Sequence, residues 1–306
     1  MRSISGPGRS PNTPLTRRLV GVLAGLMLLG GCDRSDVSAK VYPVEEVIGL
    51  AYGPLEVERG DLYLPQGVAG LPPVVLLIHG GGWVAGDRAA DAGFAKILAA
   101  RGLATFNIDY RLADAAQPNT QWPAQIVDAQ LAVRWLRAHA GTLGIDGTRI
   151  AATGDSAGAH LAVMLGVVKR TIAGDQAGLW PDESPAVLAV ADQFAPTDIV
   201  TLPAWITGCY AALFGTQTPT DDVLASISPL RQITKRSAPM LIIQGDTDDV
   251  VPPAQSLALQ GALQAAGVPV ELIRYPGNHG YEGLDGKSIY ALQQRIAAWL
   301  LGRLVR

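Results

Sequence analysis

A serine between two glycines is the most conspicuous candidate for chemistry in this chain. The run 154–158 reads Gly-Asp-Ser-Ala-Gly, and it joins a strand-like run at 149–153 to a helix-like run at 160–165. A serine on such a turn stands clear of the backbone, at a helix N-terminus where negative charge is stabilised. The glycines are needed because side chains there would collide with the strand and the helix. We predict that Ser156 is a nucleophile; the alternative is an ordinary strand-to-helix turn.

A serine hydroxyl needs a base within hydrogen-bond reach, and the chain has four histidines. His279 lies in a glycine-rich loop after the last strand-like run, which is the expected place for a base. The other three have structural explanations. His79 opens a glycine-rich loop, His139 ends a surface helix, and His160 is one turn after Ser156 with its ring directed down the helix. Position and elimination therefore predict His279 as the base.

An acid must orient that base, and the sequence leaves two regions open for it. The loop at 245–252 holds three aspartates, of which Asp246 is expected to cap the turn and Asp249 to face solvent. Asp248 lies in the middle of this loop and is the predicted acid. Asp198, after an earlier strand, is the alternative.

Backbone amides are expected to stabilise the negative charge that forms on the substrate. Ala157 supplies one amide at the start of a helix. Gly81 and Gly82 supply others, because they follow a buried strand-like run at 73–78 and let the backbone approach a ligand closely. Trp83 is expected to line the substrate pocket, although core packing would equally explain an aromatic residue there. No metal and no organic cofactor is implied.

Strand-like and helix-like runs alternate along the remainder of the chain. The expected strands are 44–52, 55–64, 73–78, 103–108, 149–153, 186–190, 240–244 and 268–275, and the expected helices are 89–101, 123–140, 160–165, 253–266 and 288–301. This alternation predicts an α/β fold with a mostly parallel central sheet, helices on both faces, and the site at the carboxyl ends of the strands. The irregular interval 198–239, which contains Trp205, Tyr210 and Phe214, is predicted to be a small lid after the sixth strand.

Composition and charge narrow the range of partners. The chain has 306 residues, of which 48% are hydrophobic and 17% charged, as expected for a globular protein. The formal net charge is −3, and the first 31 residues carry four arginines and no acid, which leaves −7 for the rest. An acidic protein of this kind argues against a nucleic-acid partner.

The N-terminal residues predict export and a lipid anchor. Arg17 and Arg18 precede an apolar run at 19–29 that is too short to span a bilayer, and Leu-Gly-Gly-Cys follows at 29–32. This ending resembles a bacterial lipobox, which implies lipidation of Cys32 and a membrane-anchored protein of the cell envelope, facing the periplasm or the exterior. The alternatives are an ordinary secretory signal cut nearby or a cysteine placed by chance.

The domain organisation expected from these patterns is simple. Residues 1–31 are predicted to be a signal peptide, 32–43 a tether, and 44–306 one catalytic domain. Cys209 is the only other cysteine, so an acylated Cys32 would leave no intramolecular disulfide.

Several short motifs together resemble the α/β-hydrolase superfamily, in its esterase/lipase branch. They are His-Gly-Gly-Gly-Trp at 79–83, Asp-Tyr-Arg-Leu at 109–112, Trp-Leu-Arg at 135–137, the serine motif, the Asp248 loop and Asn-His-Gly at 278–280. That branch includes hormone-sensitive-lipase-like carboxylesterases and a feruloyl-esterase-like group. The chain has little room for the N-terminal cap of the former, which favours the smaller feruloyl-esterase-like or acetyl-esterase-like proteins.

The resemblance, which covers about residues 44 to 302, implies a serine carboxylic-ester hydrolase. Ser156, His279 and Asp248 would act through an acyl-enzyme on small-molecule short-chain, aryl or sugar esters. The alternatives are an amide or formamide hydrolase similar to kynurenine formamidase, or a peptidase. A non-catalytic binding protein on this fold is also an alternative, but such proteins usually lose a member of the triad. The oligomeric state is left open.

Overall fold

The computed structural model of the chain describes residues 40–202 and 208–305. The predicted signal peptide, Cys32, most of the predicted tether and Trp205 lie outside these ranges. Within them, no helix has the length and apolar character needed to cross a membrane.

One sheet of eight strands forms the centre of the described domain. The strands are β1 (Val44–Ala51), β2 (Arg59–Pro65), β3 (Pro73–Ile78), β4 (Ala104–Ile108), β5 (Asp146–Asp155), β6 (Val190–Gln193), β7 (Met240–Gly245) and β8 (Val270–Tyr275). Their order across the sheet is β1-β2-β4-β3-β5-β6-β7-β8. β2 is antiparallel to both of its neighbours, and all other pairs are parallel. Every residue of β3 and of β7 is buried, as expected for strands covered on both faces.

Helices cover both faces of this sheet. The α-helices in the described part of the chain are α1 (Ala92–Ala100), α2 (Ala124–Ala138), α3 (Ala140–Leu143), α4 (Ser156–Val167), α5 (Tyr210–Phe214), α6 (Asp221–Ser226), α7 (Ala254–Ala265) and α8 (Gly286–Leu304). One core is built on α2, α4 and α7 through residues such as Leu131, Val163 and Leu259. A second core is built on α1 and α8 through residues such as Leu98 and Leu300. The predicted fold class, a mostly parallel sheet between two helical layers, is confirmed.

Two predicted strands begin four residues later than the sequence pattern indicates. Residues 55–58 form a turn, in which the Glu58 carboxylate accepts a hydrogen bond from the Leu55 amide at 2.7 Å, so β2 begins at Arg59. The strand predicted at 186–190 is β6, which begins at Val190, where pairing with Met240 starts. The carbonyl of Ala186 instead accepts a hydrogen bond from the Arg137 side chain. In both places a side chain satisfies backbone groups that a strand would have paired.

The described parts of the predicted lid contain regular structure. They include α5, α6 and 3₁₀ helices at Ile199–Thr201 and Pro229–Gln232. The two ends of the segment are joined, because the Leu230 amide donates to the Thr197 carbonyl at 2.9 Å and Arg231 pairs with Asp198 at 2.8 Å. The segment follows the sixth strand as predicted, and its action as a lid stays a prediction.

Candidate active site

Ser156 occupies a sharp turn between β5 and α4. It is the first residue of the helix, and its φ is 51°, a left-handed conformation that residues with a side chain seldom adopt. Such strain persists only where the surrounding structure holds it, and it is typical of functional sites. The turn therefore has the geometry that the serine motif predicts.

Two glycines allow this turn to pack against β3. A Cβ added at either Gly154 or Gly158 would overlap the carbonyl oxygen of Ile78. A larger residue at either position would push the serine turn away from the strand that leads into the 79–83 loop. The glycines of the motif are thus explained by close backbone packing.

The structure brings His279 and Asp248 together. The Nδ1 atom of His279 lies 2.9 Å from Oδ2 of Asp248, whose side chain is fully buried. The other carboxylate oxygen accepts hydrogen bonds from the amides of Val250 at 3.0 Å and Val251 at 2.7 Å. Gln244 donates to Oδ2 at 3.1 Å. A carboxylate held in this way places the imidazole proton on Nδ1 and leaves Nε2 able to accept another proton.

The other aspartates have different partners. The Asp198 carboxylate pairs with Arg231, and Asp246 pairs with Arg274 at 2.6 Å. Asp249 is exposed, and its amide donates to the Asn278 side chain at 3.0 Å. Of the aspartates that the sequence offers as the acid, the one beside the His279 ring is Asp248.

Strand register relates His279 to Ser156. Gln193, the last residue of β6, pairs with Asp155, so the next residue, Phe194, is level with Ser156 on the adjacent strand. The Phe194 ring lies against the His279 ring with centroids 4.7 Å apart. Within the described residues, the Ser156 hydroxyl makes no hydrogen bond to this imidazole. Hydrogen bonds of this kind often form fully only when substrate is bound.

Phe194 was missed by sequence reasoning. It is 1% exposed and its φ is 51°, the same left-handed value as that of Ser156 on the adjacent strand. A single phenylalanine after an apolar run carries no signal that separates it from the core. Its position directly after the sixth strand is the one feature that pointed to the site, since all predicted catalytic residues follow strands.

The glycine loop at 79–83 provides unpaired backbone donors. Gly81, Gly82 and Trp83 have φ values of 113°, 60° and 64°. Within the described residues, the amides of Gly81 and Gly82 donate to no protein acceptor. The amide of Ala157 lies in the first turn of α4, where amides have no carbonyl partner within the helix. The Asp155 carboxylate accepts a hydrogen bond from the Gly80 amide at 2.8 Å and so ties the loop to the serine turn.

Trp83, the last residue of this loop, forms a buried pair with His160. Trp83 is 2% exposed, and its indole N–H donates to Nδ1 of His160 at 3.3 Å. The Nε2 atom of His160 lies 2.7 Å from the carbonyl oxygen of Ile227. Burial lowers the pKa of His160 to about 4, so the ring is neutral at neutral pH. The expectation that Trp83 lines the substrate pocket stays a prediction.

His79, the first residue of the loop, is held by contacts with Tyr110 and Gly80. Its ring stacks on Tyr110 with centroids 4.4 Å apart, and its Nδ1 lies 2.7 Å from the Gly80 carbonyl oxygen. The Tyr110 hydroxyl donates to the His79 carbonyl at 3.1 Å. These contacts agree with the structural explanation that the sequence offered for His79.

The carboxyl group of Asp91 interacts with that of Asp155. Burial and the neighbouring Asp155 carboxylate raise the pKa of Asp91 to about 7. Burial also raises the pKa of Asp155, while the hydrogen bond from the Gly80 amide and the electrostatic interaction with His79 act in the opposite direction. Two neighbouring, partly buried carboxyl groups of this kind resist being ionised together.

No metal site is evident in the part of the chain that the structure describes: no three His, Cys, Asp or Glu side chains there are placed to hold an ion.

Comparisons with known proteins give a consistent result. The family model described as BD-FAE matches residues 60–263. Esterase LipC of Mycobacterium tuberculosis is 32% identical over 242 residues, which are 74% of this chain and 58% of LipC. Carboxylesterase NlhH of the same organism is 31% identical over 239 residues, which are 72% of this chain and 70% of NlhH.

A solved structure extends the similarity to the fold. A truncated form of a carbohydrate esterase from gut microbiota superposes with a TM-score of 0.75 at 28% identity, covering 87% of this chain and 98% of the other. The chain is shorter than several relatives that it matches. It spans 58% of LipC and 49–55% of three plant isoprenylcysteine methylesterases.

Proposed function

The chain belongs to the BD-FAE family of α/β-hydrolase esterases, and on that premise we propose that it is a carboxylesterase-type serine hydrolase. One observation carries the proposal: the 2.9 Å contact between His279 and the buried carboxylate of Asp248. This pair lies beside Phe194, one strand away from the strained Ser156 turn. A nucleophile after β5, an orienting acid after β7 and a base after β8, all at the carboxyl ends of one sheet, are the arrangement that acyl transfer requires.

The proposed reaction has two halves. In the first, His279 Nε2 takes the hydroxyl proton of Ser156 as the oxygen attacks the ester carbonyl, and the collapsing intermediate expels the alcohol, which leaves with that proton. In the second, His279 takes a proton from water, the water attacks the acyl-enzyme, and the proton returns to Ser156 as the acid is released. Asp248 holds the imidazole and stabilises its charged form. The amides of Gly81, Gly82 and Ala157 would donate to the oxyanion in both halves.

We propose short-chain, aryl or sugar esters as the substrates. Two structural relatives support this choice: the carbohydrate esterase from gut microbiota and a bifunctional GH43-CE protein of Bacteroides eggerthii, which is 29% identical. The helices in the described parts of the segment after β6 have three to six residues each, which leaves little apolar wall for a long acyl chain.

An active-site-directed phosphate ester tests the reaction type. Paraoxon, which phosphorylates activated serines, should label the protein at one site, and mass spectrometry of peptides should place the label on Ser156. Ser156→Ala should lose the label and at least about 10³-fold in kcat on nitrophenyl acetate. Ser288→Ala, which changes an exposed serine in the first turn of α8, is the matched control and should behave as wild type. Label at another residue, or full activity in Ser156→Ala, would contradict the proposal.

We also propose that Cys32 carries a lipid that holds the protein to a membrane of the cell envelope. The support is the short apolar run at 19–29 that ends in Leu-Gly-Gly-Cys. Cys32→Ser should move the protein out of the membrane fraction and stop incorporation of labelled fatty acid. Cys209→Ser should leave both unchanged. Identical fractionation and no fatty-acid uptake in all three proteins would refute this proposal.

A further inference from the structure

His160 is a buried histidine that the proposed reaction does not use. It lies one helical turn after Ser156 on α4 and is 0% exposed. A buried imidazole is expensive unless its polar atoms are paired, and here both nitrogens have a partner.

These partners determine which nitrogen carries the proton. The indole N–H of Trp83 can only donate, so His160 Nδ1 accepts at 3.3 Å. The carbonyl oxygen of Ile227 can only accept, so His160 Nε2–H donates at 2.7 Å. A single neutral tautomer satisfies both bonds. Protonation would place two N–H groups against each other at Trp83.

The two bonds join three parts of the molecule that are distant in sequence. Trp83 directly follows Gly81 and Gly82 in the loop with the unpaired amides. Ile227 lies in the segment after β6, directly after α6. The Trp122 ring also lies against His160, with centroids 5.7 Å apart, and the Trp122 amide donates to the Leu213 carbonyl in α5 at 2.8 Å. The imidazole itself is fixed to the helix that begins with Ser156.

We propose that His160 is a positioning residue. Through Trp83 it fixes the distance between α4 and the Gly81–Gly82 amides, and through Ile227 it fixes the distance between α4 and the segment after β6. The proposal rests on the proposed function, because it assigns those amides to the oxyanion. A shift of the amides weakens an interaction that is made mainly in the transition state, so it lowers kcat. A shift of the Ile227 segment changes the walls around the substrate, so it raises KM.

Two conservative variants separate the two bonds. The side-chain oxygen of asparagine lies at the position of imidazole Nδ1, so His160→Asn can still accept from Trp83 but is too short to reach Ile227. The side-chain amide of glutamine extends to the position of Nε2, so His160→Gln can still donate to Ile227 but offers no acceptor at the δ position. Trp83→Phe removes the same bond as His160→Gln from the opposite side and keeps an aromatic ring.

The expected kinetics differ between these variants. On nitrophenyl acetate, His160→Gln and Trp83→Phe should each lower kcat by about 10- to 100-fold with little change in KM. The double variant should be about as active as either single variant, because both changes remove one bond. A trifluoromethyl ketone, which forms an oxyanion at Ser156, should bind these variants more weakly by about the factor lost in kcat. His160→Asn should keep kcat within about threefold and raise KM instead.

The pattern of loss distinguishes positioning from a general structural role. The proposal would be overturned if His160→Asn and His160→Gln lost equal factors in kcat and these losses followed the fall in melting temperature. Wild-type kcat in His160→Gln would overturn it also.

A readout without turnover keeps this inference separate from the proposed function. Nitrogen-15 NMR of the imidazole in the intact protein should show the neutral tautomer protonated at Nε2 from pH 5 to pH 8. An imidazole that gains a second proton within this range would overturn the inference, even in an active esterase. Failure of paraoxon to label Ser156 would overturn the proposed function while the tautomer remained as predicted.

Discussion

The Phe194 ring lies at 64° to the His279 imidazole, with ring centroids 4.7 Å apart. Phe194 also contacts Tyr281 at 5.3 Å, and its amide donates to the Ile243 carbonyl at 2.9 Å. The imidazole is therefore held from two sides, by a hydrogen bond from Nδ1 to Asp248 and by the edge of a buried aromatic ring. An imidazole held in this way has few orientations available, which would favour proton transfer to and from one fixed position.

We expect Phe194→Leu to lower kcat about tenfold, because the smaller side chain leaves space in which the imidazole can turn away from the nucleophile. Phe94→Leu is the matched control, since Phe94 is a buried phenylalanine on α1, packed in the core on one face of the sheet. Both variants should lose comparable stability in thermal melts. Equal activity in the two variants would show that Phe194 contributes only packing.

The roles of Asp248 and Asp198 can be compared directly. Asp248→Asn should lose about 10⁴-fold in kcat, because the imidazole would no longer be held in the productive tautomer. Asp198→Asn should lose tenfold or less, because Asp198 pairs with the half-exposed Arg231. The measurement is turnover of one activated ester by both variants, with melting curves to confirm folding. The reverse ranking would transfer the role of acid to Asp198.

Asp91 predicts an unusual pH dependence of stability. Its pKa in the fold is about 7, raised from 3.8 by burial and by Asp155. The protonated carboxyl group of Asp91 contributes fully to the free energy of unfolding below about pH 3.8. This contribution is lost as the pH rises through 7, because the fold disfavours the ionised carboxylate. Asp91→Asn cannot ionise, so its melting temperature should exceed that of wild type above pH 7.

The same difference should shrink towards pH 4, where the wild-type carboxyl group is protonated. Melting curves between pH 4 and pH 9 measure it. Asp182→Asn, a change at an exposed surface position, is the control for the loss of one negative charge. A difference between Asp91→Asn and wild type that is constant across this range would contradict the interpretation.

Chain-length preference tests the proposed substrate class. Each methylene that finds an apolar wall gains about 0.8 kcal/mol, and each that remains in water gains nothing. We expect kcat/KM on nitrophenyl esters to rise to roughly butyrate or hexanoate and then to fall. The measurement is a series from acetate to palmitate below the micelle concentration. A specificity constant that increases up to palmitate would exclude a short-chain esterase.

The sequence by itself determined the features that depend on neighbouring residues. The serine turn at 154–158 needs a strand, two glycines and a helix start within a few residues, so local sterics suffice to predict it. Alternating strand and helix patterns determined the fold class, because buried parallel strands must be apolar throughout. His279 could be predicted as the base because the chain has four histidines and three had local explanations.

Only the tertiary structure decided which groups meet across the chain. The contact between Asp248 and His279 joins residues 31 positions apart, and it depends on how two loops fold at adjacent strand ends. The bonds of His160 join residues 77 and 67 positions apart, so its tautomer depends on two distant partners, Trp83 and Ile227. Phe194 reaches its place beside Ser156 on the adjacent strand only through the register of β5 and β6, and its ring contacts His279 there. Side-chain contacts of this kind depend on packing between elements, and no local pattern encodes them.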